Sequence, residues 1–501
     1  MGLVIFEENK PFVLEAPGNG EFDYMEAASE VFEADFFRFI KARSLLDELA
    51  ETYPTPRKKE DVPCWFYVAG NLSMRLHGVQ AFDAFPLVVR SGGMLQAFGP
   101  EAGRKVVHPE TGDTTIVCEG FNRKNHYDRE TPCDSDYLRK MAKDTDARAL
   151  MSWFGQDGVR AFQRRRVFDP EGVFIGDASY PFVPDNPHYE GSVKLRFDED
   201  DHPLSEEQYR KMSDDQKIRC QWRRCYKMVT LLHTNRTLDF FLFVAVKVVS
   251  GKDHECPVLY DWVKQFVETV GQGVMKRLIL DRGFLDGKAI SLCKKQYGID
   301  ILIPIRRNMD LYVDAMALFR ESDVHWVECK PRKEEVKESI PLRPKAIRKR
   351  EKKRQEKLRQ LKQQQPPPPP KEILIKKEAA AIGEFRSWSS CTVPLTVVAN
   401  RESYADGHQE IWFLIDTKKV ADPSQTQQEY HLRPSTEERY RQLKCFNDLT
   451  HFTSRSYSLV VNQVVFIMLA YNLLQLFLLK RGRKELNQKT LPRIRQQLLP
   501  S

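Results

Sequence analysis

Four side chains near the carboxyl end of the chain have types and spacing that suit chemistry on a phosphate. They are Tyr430, Arg433, Glu437 and Lys444. With about 100° per residue, an ideal α-helix would place all four in one stripe about 60° wide. Such a stripe could bind a divalent metal ion through its carboxylate while its two cations and its phenol hold phosphate oxygens.

A proline interrupts this run. Inside a helix, Pro434 would remove a backbone hydrogen bond and clash with the preceding turn. A capping box formed by Ser435 and Glu438 would instead start the helix at about residue 436. The first two members of the stripe would then approach from the preceding loop.

Two further acidic residues follow apolar segments that read as strands. Asp281 lies in the sequence Leu-Asp-Arg-Gly-Phe at the end of one strand, and Asp177 lies in Gly-Asp-Ala-Ser on an earlier strand, 104 residues before it. A single aspartate at a strand end is ordinarily a turn or capping residue, so each gains meaning only from the joint pattern. Asp185 and Asp198 are alternatives for the first acidic position.

The spacing Tyr-x2-Arg-x3-Glu-x6-Lys is the YREK signature, and with the Asp-x-Gly-Phe motif it makes residues 170 to 480 resemble prokaryotic insertion-sequence transposases of the DDE class. The resemblance implies an RNase H-like fold on which Asp177, Asp281 and Glu437 form the DDE triad. It also implies two Mg²⁺ (or Mn²⁺) ions on these carboxylates. Mg²⁺ prefers oxygen ligands, and two ions about 3.5 to 4 Å apart can activate a nucleophile and stabilise a leaving oxygen.

The implied partner is double-stranded DNA, both the terminal inverted repeats of a mobile element and the target, bound by a homodimer. The implied reaction cuts 3′ phosphodiester bonds with water and joins the freed 3′-OH to target DNA. One alternative is a transposase-derived DNA-binding protein that no longer cuts, against which the three carboxylates argue. Another is a non-transposing RNase H-like nuclease, which would not need the Tyr, Arg and Lys of the stripe.

The elements that must position these residues form an α/β domain with a mixed sheet flanked by helices. The sequence indicates strands at residues 173–175, 228–232, 240–249, 278–280 and 301–305 and helices at 257–270 and 288–297. A polar loop is expected at 185–221. Regular structure is expected to stop after Arg307.

Residues 308–425 are predicted to be a β-containing insertion, with strands at 392–399 and 411–415. Within it, residues 343–362 carry eleven Lys and Arg against two Glu, so the rest of this +8 chain is nearly neutral. A polyproline segment follows at 366–370. Trp412 is either a core residue, the preferred interpretation, or a stacking partner for a flipped base, as in some relatives. The basic tract at 343–362 offers further candidate DNA contacts at Arg348, Lys349, Arg350, Lys352 and Lys353.

The N-terminal region, residues 1–168, is expected to be mainly helical (25–53 and 135–166) and is a candidate for binding DNA ends. Its last helix ends in Arg160, Arg164, Arg165 and Arg166, which either contact phosphates or form a solvated basic helix end. The remaining expected segments are the catalytic core at 169–307 and 426–480 and a basic tail at 481–501.

The apolar run 459–479 with its basic flank has the length of a membrane span. Four amides, however, are spread around it, at Asn462, Gln463, Asn472 and Gln475, and each would be costly facing lipid. We therefore predict a buried core helix and no membrane partner. Ten scattered cysteines and the lack of a secretory signal predict a cytoplasmic protein, and the transposase resemblance implies that it associates with the nucleoid.

Overall fold

The computed structural model describes residues 31–59, 62–85, 93–98, 104–107, 114–117, 133–235, 240–329 and 374–487, with positions 19 and 88. The basic tract at 343–362, with its five candidate DNA contacts, lies outside the described residues. So do the polyproline segment and most of the tail at 481–501. The chain divides into two compact units, one of residues 1–302 with 432–501 and one of Ile303–His431.

The helices are α1 (Val31–Lys41), α2 (Leu45–Glu51), α3 (Cys64–Leu76), α4 (Gly93–Phe98), α5 (Ser135–Asp144), α6 (Ala147–Trp153), α7 (Val159–Arg164), α8 (Glu206–Lys211), α9 (Asp214–Arg219), α10 (Glu255–Val270), α11 (Gly287–Tyr297), α12 (Asp310–Glu321), α13 (Pro423–Tyr430), α14 (Pro434–Phe446) and α15 (Tyr457–Lys480). The strands are β1 (Arg104–Val107), β2 (Thr114–Val117), β3 (Val173–Ser179), β4 (Phe182–Val183), β5 (Val193–Phe197), β6 (Gln221–Asn235), β7 (Phe240–Ser250), β8 (Arg277–Leu280), β9 (Asp300–Pro304), β10 (Val327–Glu328), β11 (Leu374–Phe385), β12 (Leu395–Tyr404) and β13 (Gln409–Asp416).

The sheet of the first unit is mixed, in the order β9-β8-β3-β6-β7. β3 is parallel to β8 on one side and antiparallel to β6 on the other, and β8 is parallel to β9. Helices α10 and α11 provide the crossovers that parallel neighbours require. The predicted fold class is confirmed: a mixed α/β sheet with helices, consistent with an RNase H-like domain, and a helical N-terminal region.

Several predicted boundaries were wrong. The expected polar loop at 185–221 contains strand β5. Both β4 and β5 pair with the first residues of β6, which extends β6 to fifteen residues. That loop also contains two short helices, each begun by a Ser and Gln capping box. Regular structure does not stop after Arg307, because α12 buries Leu311, Ala315 and Phe319 at helical spacing.

The N-terminal region is not wholly helical, since β1 and β2 form an antiparallel pair. The predicted helix at 135–166 is also interrupted. Thr145 is extended, and Asp146 starts α6 by accepting a 2.7 Å hydrogen bond from the Ala149 amide.

α15 is long and apolar enough to span a membrane, yet its apolar window is fully buried inside the protein. Its four amides donate hydrogen bonds within the fold. Asn472, for example, accepts from the Phe243 amide at 2.9 Å and donates to the Phe243 carbonyl at 2.7 Å, and Asn462 donates to the Tyr67 hydroxyl at 2.9 Å. The helix is therefore the core helix that the amides predict.

In the second unit, β10, β11, β12 and β13 form an antiparallel series. The strands expected at 392–399 and 411–415 correspond to β12 and β13, whereas β11 was not predicted. Its polar residues hide the pattern, since the first half of β11 reads Leu-Ile-Lys-Lys-Glu.

Candidate active site

Two acidic residues lie side by side at the carboxyl ends of the paired segments of two neighbouring parallel strands. The register pairs Gly176 of β3 with Leu280 of β8, so Asp177 and Asp281 are the next residues on each strand. A Cβ atom at Gly176 would lie only 2.6 Å from the Leu280 side chain and 2.7 Å from that of Leu259. The glycine before Asp177 therefore permits the close strand contact that sets the two aspartates side by side.

α14 brings the third carboxylate to this edge. It begins with Pro434 in its first turn, where a proline costs no backbone hydrogen bond. The predicted capping box at Ser435 and the start at about residue 436 were therefore wrong. Tyr430 is the last residue of α13 rather than part of a loop, and Arg433 immediately precedes α14.

Tyr440 holds α14 against the sheet. Its hydroxyl donates a 3.2 Å hydrogen bond to the main-chain oxygen of Asp177 and shares another with the Thr230 hydroxyl. Thr230 lies opposite Asp177 in the β3–β6 register. The Tyr440 ring also stacks on Phe243, with ring centroids 6.3 Å apart. Since Tyr440 is three residues after Glu437, this contact fixes the helix turn that carries the third carboxylate.

One guanidinium lies among all three carboxylates. Arg433 Nη2 is 3.5 Å from Asp177 Oδ1 and 3.6 Å from Asp281 Oδ2, and its Nη1 donates to Glu437 Oε1 at 2.7 Å. The side chain of Asp177 is 7% exposed and that of Arg433 19%, whereas Glu437 is 56% exposed. The site is therefore a cleft, closed at Asp177 and open to solvent at Glu437.

Burial raises the pKa of Asp177 to about 7. Arg433 opposes this rise, and the neighbouring charges of Asp281 and Glu437 add to it. The Asp177 side chain accepts a 3.0 Å hydrogen bond from the Ala178 amide, which favours the charged form. Burial thus brings the pKa of this carboxyl close to neutral pH.

Lys444 extends the site along β3. Its ammonium donates to the Ser179 hydroxyl at 2.7 Å, and burial lowers the pKa of Lys444 while Asp201 and Asp177 act to raise it. Ser179 is two residues after Asp177, on the same face of β3. The structure therefore brings together Asp177, Asp281, Arg433, Glu437 and Lys444.

Four further sequence candidates remain, two in the second unit and two in loops of the first. Tyr430 and Trp412 belong to the second unit, where their ring centroids are 6.0 Å apart and Trp412 is half-buried on β13. The two alternatives for the first acidic position stabilise local loops instead. Asp185 pairs with Lys194, and Asp198 accepts hydrogen bonds from the amides of a turn.

Sequence reasoning missed Tyr440 and Ser179 as parts of this site, and it did not foresee that Arg433 would contact all three acids. A signal for Tyr440 existed, because position 440 lies at −80° on the helical projection, next to the stripe. Its partner Thr230 lies on a distant strand, and only the register shows that it faces Asp177.

The donor set suits a hard divalent cation, because the converging groups are all carboxylate oxygens. Within the described ranges, no three acidic, histidine or cysteine side chains lie close enough to hold one metal ion together. The guanidinium of Arg433 lies between the carboxylates and neutralises them instead. The three acids thus supply the oxygen donors that such a cation takes, and in this arrangement they surround a guanidinium.

Replacing Tyr440 with phenylalanine is expected to lower the free energy of unfolding by about 1 to 3 kcal/mol, because the buried Thr230 hydroxyl and the Asp177 carbonyl each lose a hydrogen-bond partner. Urea denaturation measures this change. Thr230→Val provides a double-mutant cycle, in which the two changes should be less than additive because they break one shared hydrogen bond. Fully additive effects would contradict the proposed contact.

A second prediction concerns the stability of the metal-free protein. Because the pKa of Asp177 is raised, the folded chain binds this proton more tightly than the unfolded chain. The stabilisation of the folded chain by this proton is fully present below about pH 4 and is lost as the pH rises through about 7. Asp177→Asn should therefore lose less stability than the parent protein between pH 5 and pH 8 in EDTA. Equal losses in the two proteins would contradict the raised pKa.

A family model described as a transposase DDE domain matches residues 192–473, which is more than half of the chain. Asp281 and Glu437 lie inside the matched segment, and Asp177 lies fifteen residues before it. A search of curated proteins gave no match. Domains of this kind are catalytic on DNA and generally use divalent metal ions. With its mixed sheet and its acidic cleft, this chain belongs to the DDE transposase family and functions in DNA transposition.

Proposed function

We propose that Asp177, Asp281 and Glu437 are the catalytic triad of this transposase, which cuts the ends of an insertion sequence and joins them to target DNA. The observation that carries the proposal is the position of Arg433, within 3.6 Å of all three carboxylates. Three acids on two strands and a helix converge on one cationic centre. Such an arrangement costs repulsion unless cations are held there, and a purely structural role would not require it.

The three carboxylates would hold two Mg²⁺ or Mn²⁺ ions, which supply an activated water and charge stabilisation at the leaving oxygen. The protein's own groups set the geometry. Tyr440 fixes the main chain of Asp177, and the glycine before it lets Asp281 approach. Arg433 and Lys444 are the cations placed to hold phosphate oxygens of the cut strand once DNA enters the cleft.

Arg433 has two roles in this proposal. Without metal it is the counter-ion that keeps three carboxylates in place. Cations held by the carboxylates would repel this guanidinium, which would then be available to bind a DNA phosphate. Metal binding and phosphate binding are therefore coupled through one side chain.

The finer assignments also belong to this proposal. The enzyme would be of the YREK insertion-sequence group, cytoplasmic and associated with the nucleoid, and would hold paired terminal repeats as a homodimer. Tyr430 and Trp412, a ring pair in the second unit, are proposed DNA contacts, as are the five basic residues at 348–353.

The proposed function is tested with a donor plasmid that carries the inverted repeats flanking the gene. With purified protein and Mg²⁺, we expect nicks at the 3′ ends of the element and joined products in a second plasmid, and neither product in EDTA. Cleavage without joining would indicate the nuclease alternative. Binding of the repeats without cleavage would indicate an inactive descendant, and either result would contradict the proposal.

A further inference from the structure

A second cationic site lies in the first unit, in a cavity that the proposed mechanism does not use. Its volume is about 460 Å³. It is formed where the ends of α1, α7 and α15 meet α2. The lining residues are Arg43, Glu48, Arg164, Arg165, Leu476 and Lys480.

One ion-pair cluster forms the fixed part of the cavity. Arg165 binds Glu48 at 2.9 Å and the Ala161 carbonyl at 2.7 Å, and Arg164 binds Glu48 at 3.1 Å. The Arg165 hydrogen bond is the largest influence that lowers the pKa of Glu48, so this carboxylate is ionised at neutral pH. Only 15% of the Arg165 side chain is exposed, whereas 65% of the Arg164 side chain is. One arginine is thus part of the wall and the other faces solvent.

The remaining cations have no such partner. Arg43 and Lys480 are exposed, and neither has a carboxylate partner within the described part of the chain. The guanidinium of Arg43 lies 4.0 Å over the Phe39 ring, which restricts its position. Four cations therefore face one carboxylate, a local charge of +3.

The helix dipoles offset only part of this local positive charge. The carboxyl ends of α1, α7 and α15 lie here, and each contributes roughly −0.5 charge, or about −1.5 together. A surplus of about +1.5 remains, with no second carboxylate among the described residues that line the cavity. A solvated basic helix end would not need to collect cations from three separate segments into one concavity.

We infer that this cavity binds phosphates of the DNA backbone, as a contact separate from the catalytic cleft. The inference rests on the proposed function. Arginine forks match phosphate oxygens in geometry and charge. Among the described residues that line the cavity, Leu476 is the one apolar side chain and none is aromatic, so the site would bind a backbone without stacking a base or reading sequence.

The cavity lies apart from the cleft along the fold. Arg164 and Arg165 come just before the amino end of β3, whereas Asp177 lies towards its carboxyl end. A duplex seated in the cavity would therefore be held by a surface that takes no part in cleavage. Among the basic residues 160–166 that the sequence singled out, this gives a phosphate-binding role to Arg164.

The test measures binding of a fluorescent duplex in EDTA between 50 and 200 mM salt. For the double variant Arg43→Gln, Lys480→Gln, we expect a plot of log affinity against log salt that is less steep by about 2, and affinity lower by about 10- to 100-fold near 100 mM salt. The control is Lys252→Gln, Lys264→Gln, which removes two exposed lysines of the same unit outside the cavity. It should bind like the parent protein.

Inorganic phosphate distinguishes a backbone contact from a site for free anions. If calorimetry shows phosphate binding that the double variant loses, while its DNA affinity and salt slope equal those of the parent protein, the inference is overturned. The same holds if the control pair shows an equal effect. A parent protein that binds no duplex at any salt concentration would contradict the proposed function itself.

Discussion

Glu437→Gln should reduce cleavage of element-end DNA by about 10³-fold or more while duplex affinity stays within a few fold. The substitution keeps the size of the side chain and removes the charge that a metal ligand needs. Metal stabilisation of the transition state amounts to several kcal/mol, and each 1.36 kcal/mol is a factor of ten in rate. Because 56% of the Glu437 side chain is exposed and an amide oxygen can still accept the hydrogen bond from Arg433, the fold should be unaffected.

The measurement is nicking of a labelled element end in Mg²⁺, with duplex binding followed in parallel. Glu438→Gln is the matched control, since Glu438 is the next residue on α14 and pairs with Arg441 at 2.6 Å, outside the acidic cleft. It should cleave like the parent protein. Cleavage by Glu437→Gln within a few fold of the parent would remove Glu437 from the triad.

The second large effect concerns stability without metal. Arg433→Gln should lower the free energy of unfolding in EDTA at pH 8 by about 3 kcal/mol, because three neighbouring carboxylates lose their shared counter-ion. The same variant should gain more stability from Mn²⁺ than the parent protein does, since the cation no longer competes with a guanidinium. Urea denaturation with and without Mn²⁺ measures both effects.

Arg441→Gln is the control for this variant. Arg441 also pairs with a glutamate on α14, but at a more exposed position, so its loss should cost no more than about 1 kcal/mol and leave the Mn²⁺ effect unchanged. Asp177 is protonated below about pH 7, so the destabilisation by Arg433→Gln should shrink towards pH 5. An unaltered Mn²⁺ effect in Arg433→Gln would show that the guanidinium does not compete with the metal.

The chain's local patterns were enough to predict the mixed α/β class and the approximate positions of its central strands. Apolar runs at 173–175, 278–280 and 301–305 read as buried strands because parallel strands are covered on both faces. The helical stripe likewise placed Glu437 and Lys444 on one face of α14. Local patterning was less informative for β5 and β11, whose exposed faces carry charges that resemble a loop.

The sequence by itself determined which side chains could do this chemistry and which of them share a helix face, because spacing along one element fixes relative direction. The sequence favoured Asp177 over Asp185 and Asp198 as the first acid, but only the tertiary structure shows that it lies beside Asp281, since that depends on the pairing of Gly176 with Leu280. Tertiary structure also decided that Tyr440 meets Thr230, 210 residues away, and that Arg433 reaches three acids at once. Such contacts join distant parts of the chain, and no local pattern of residues records them.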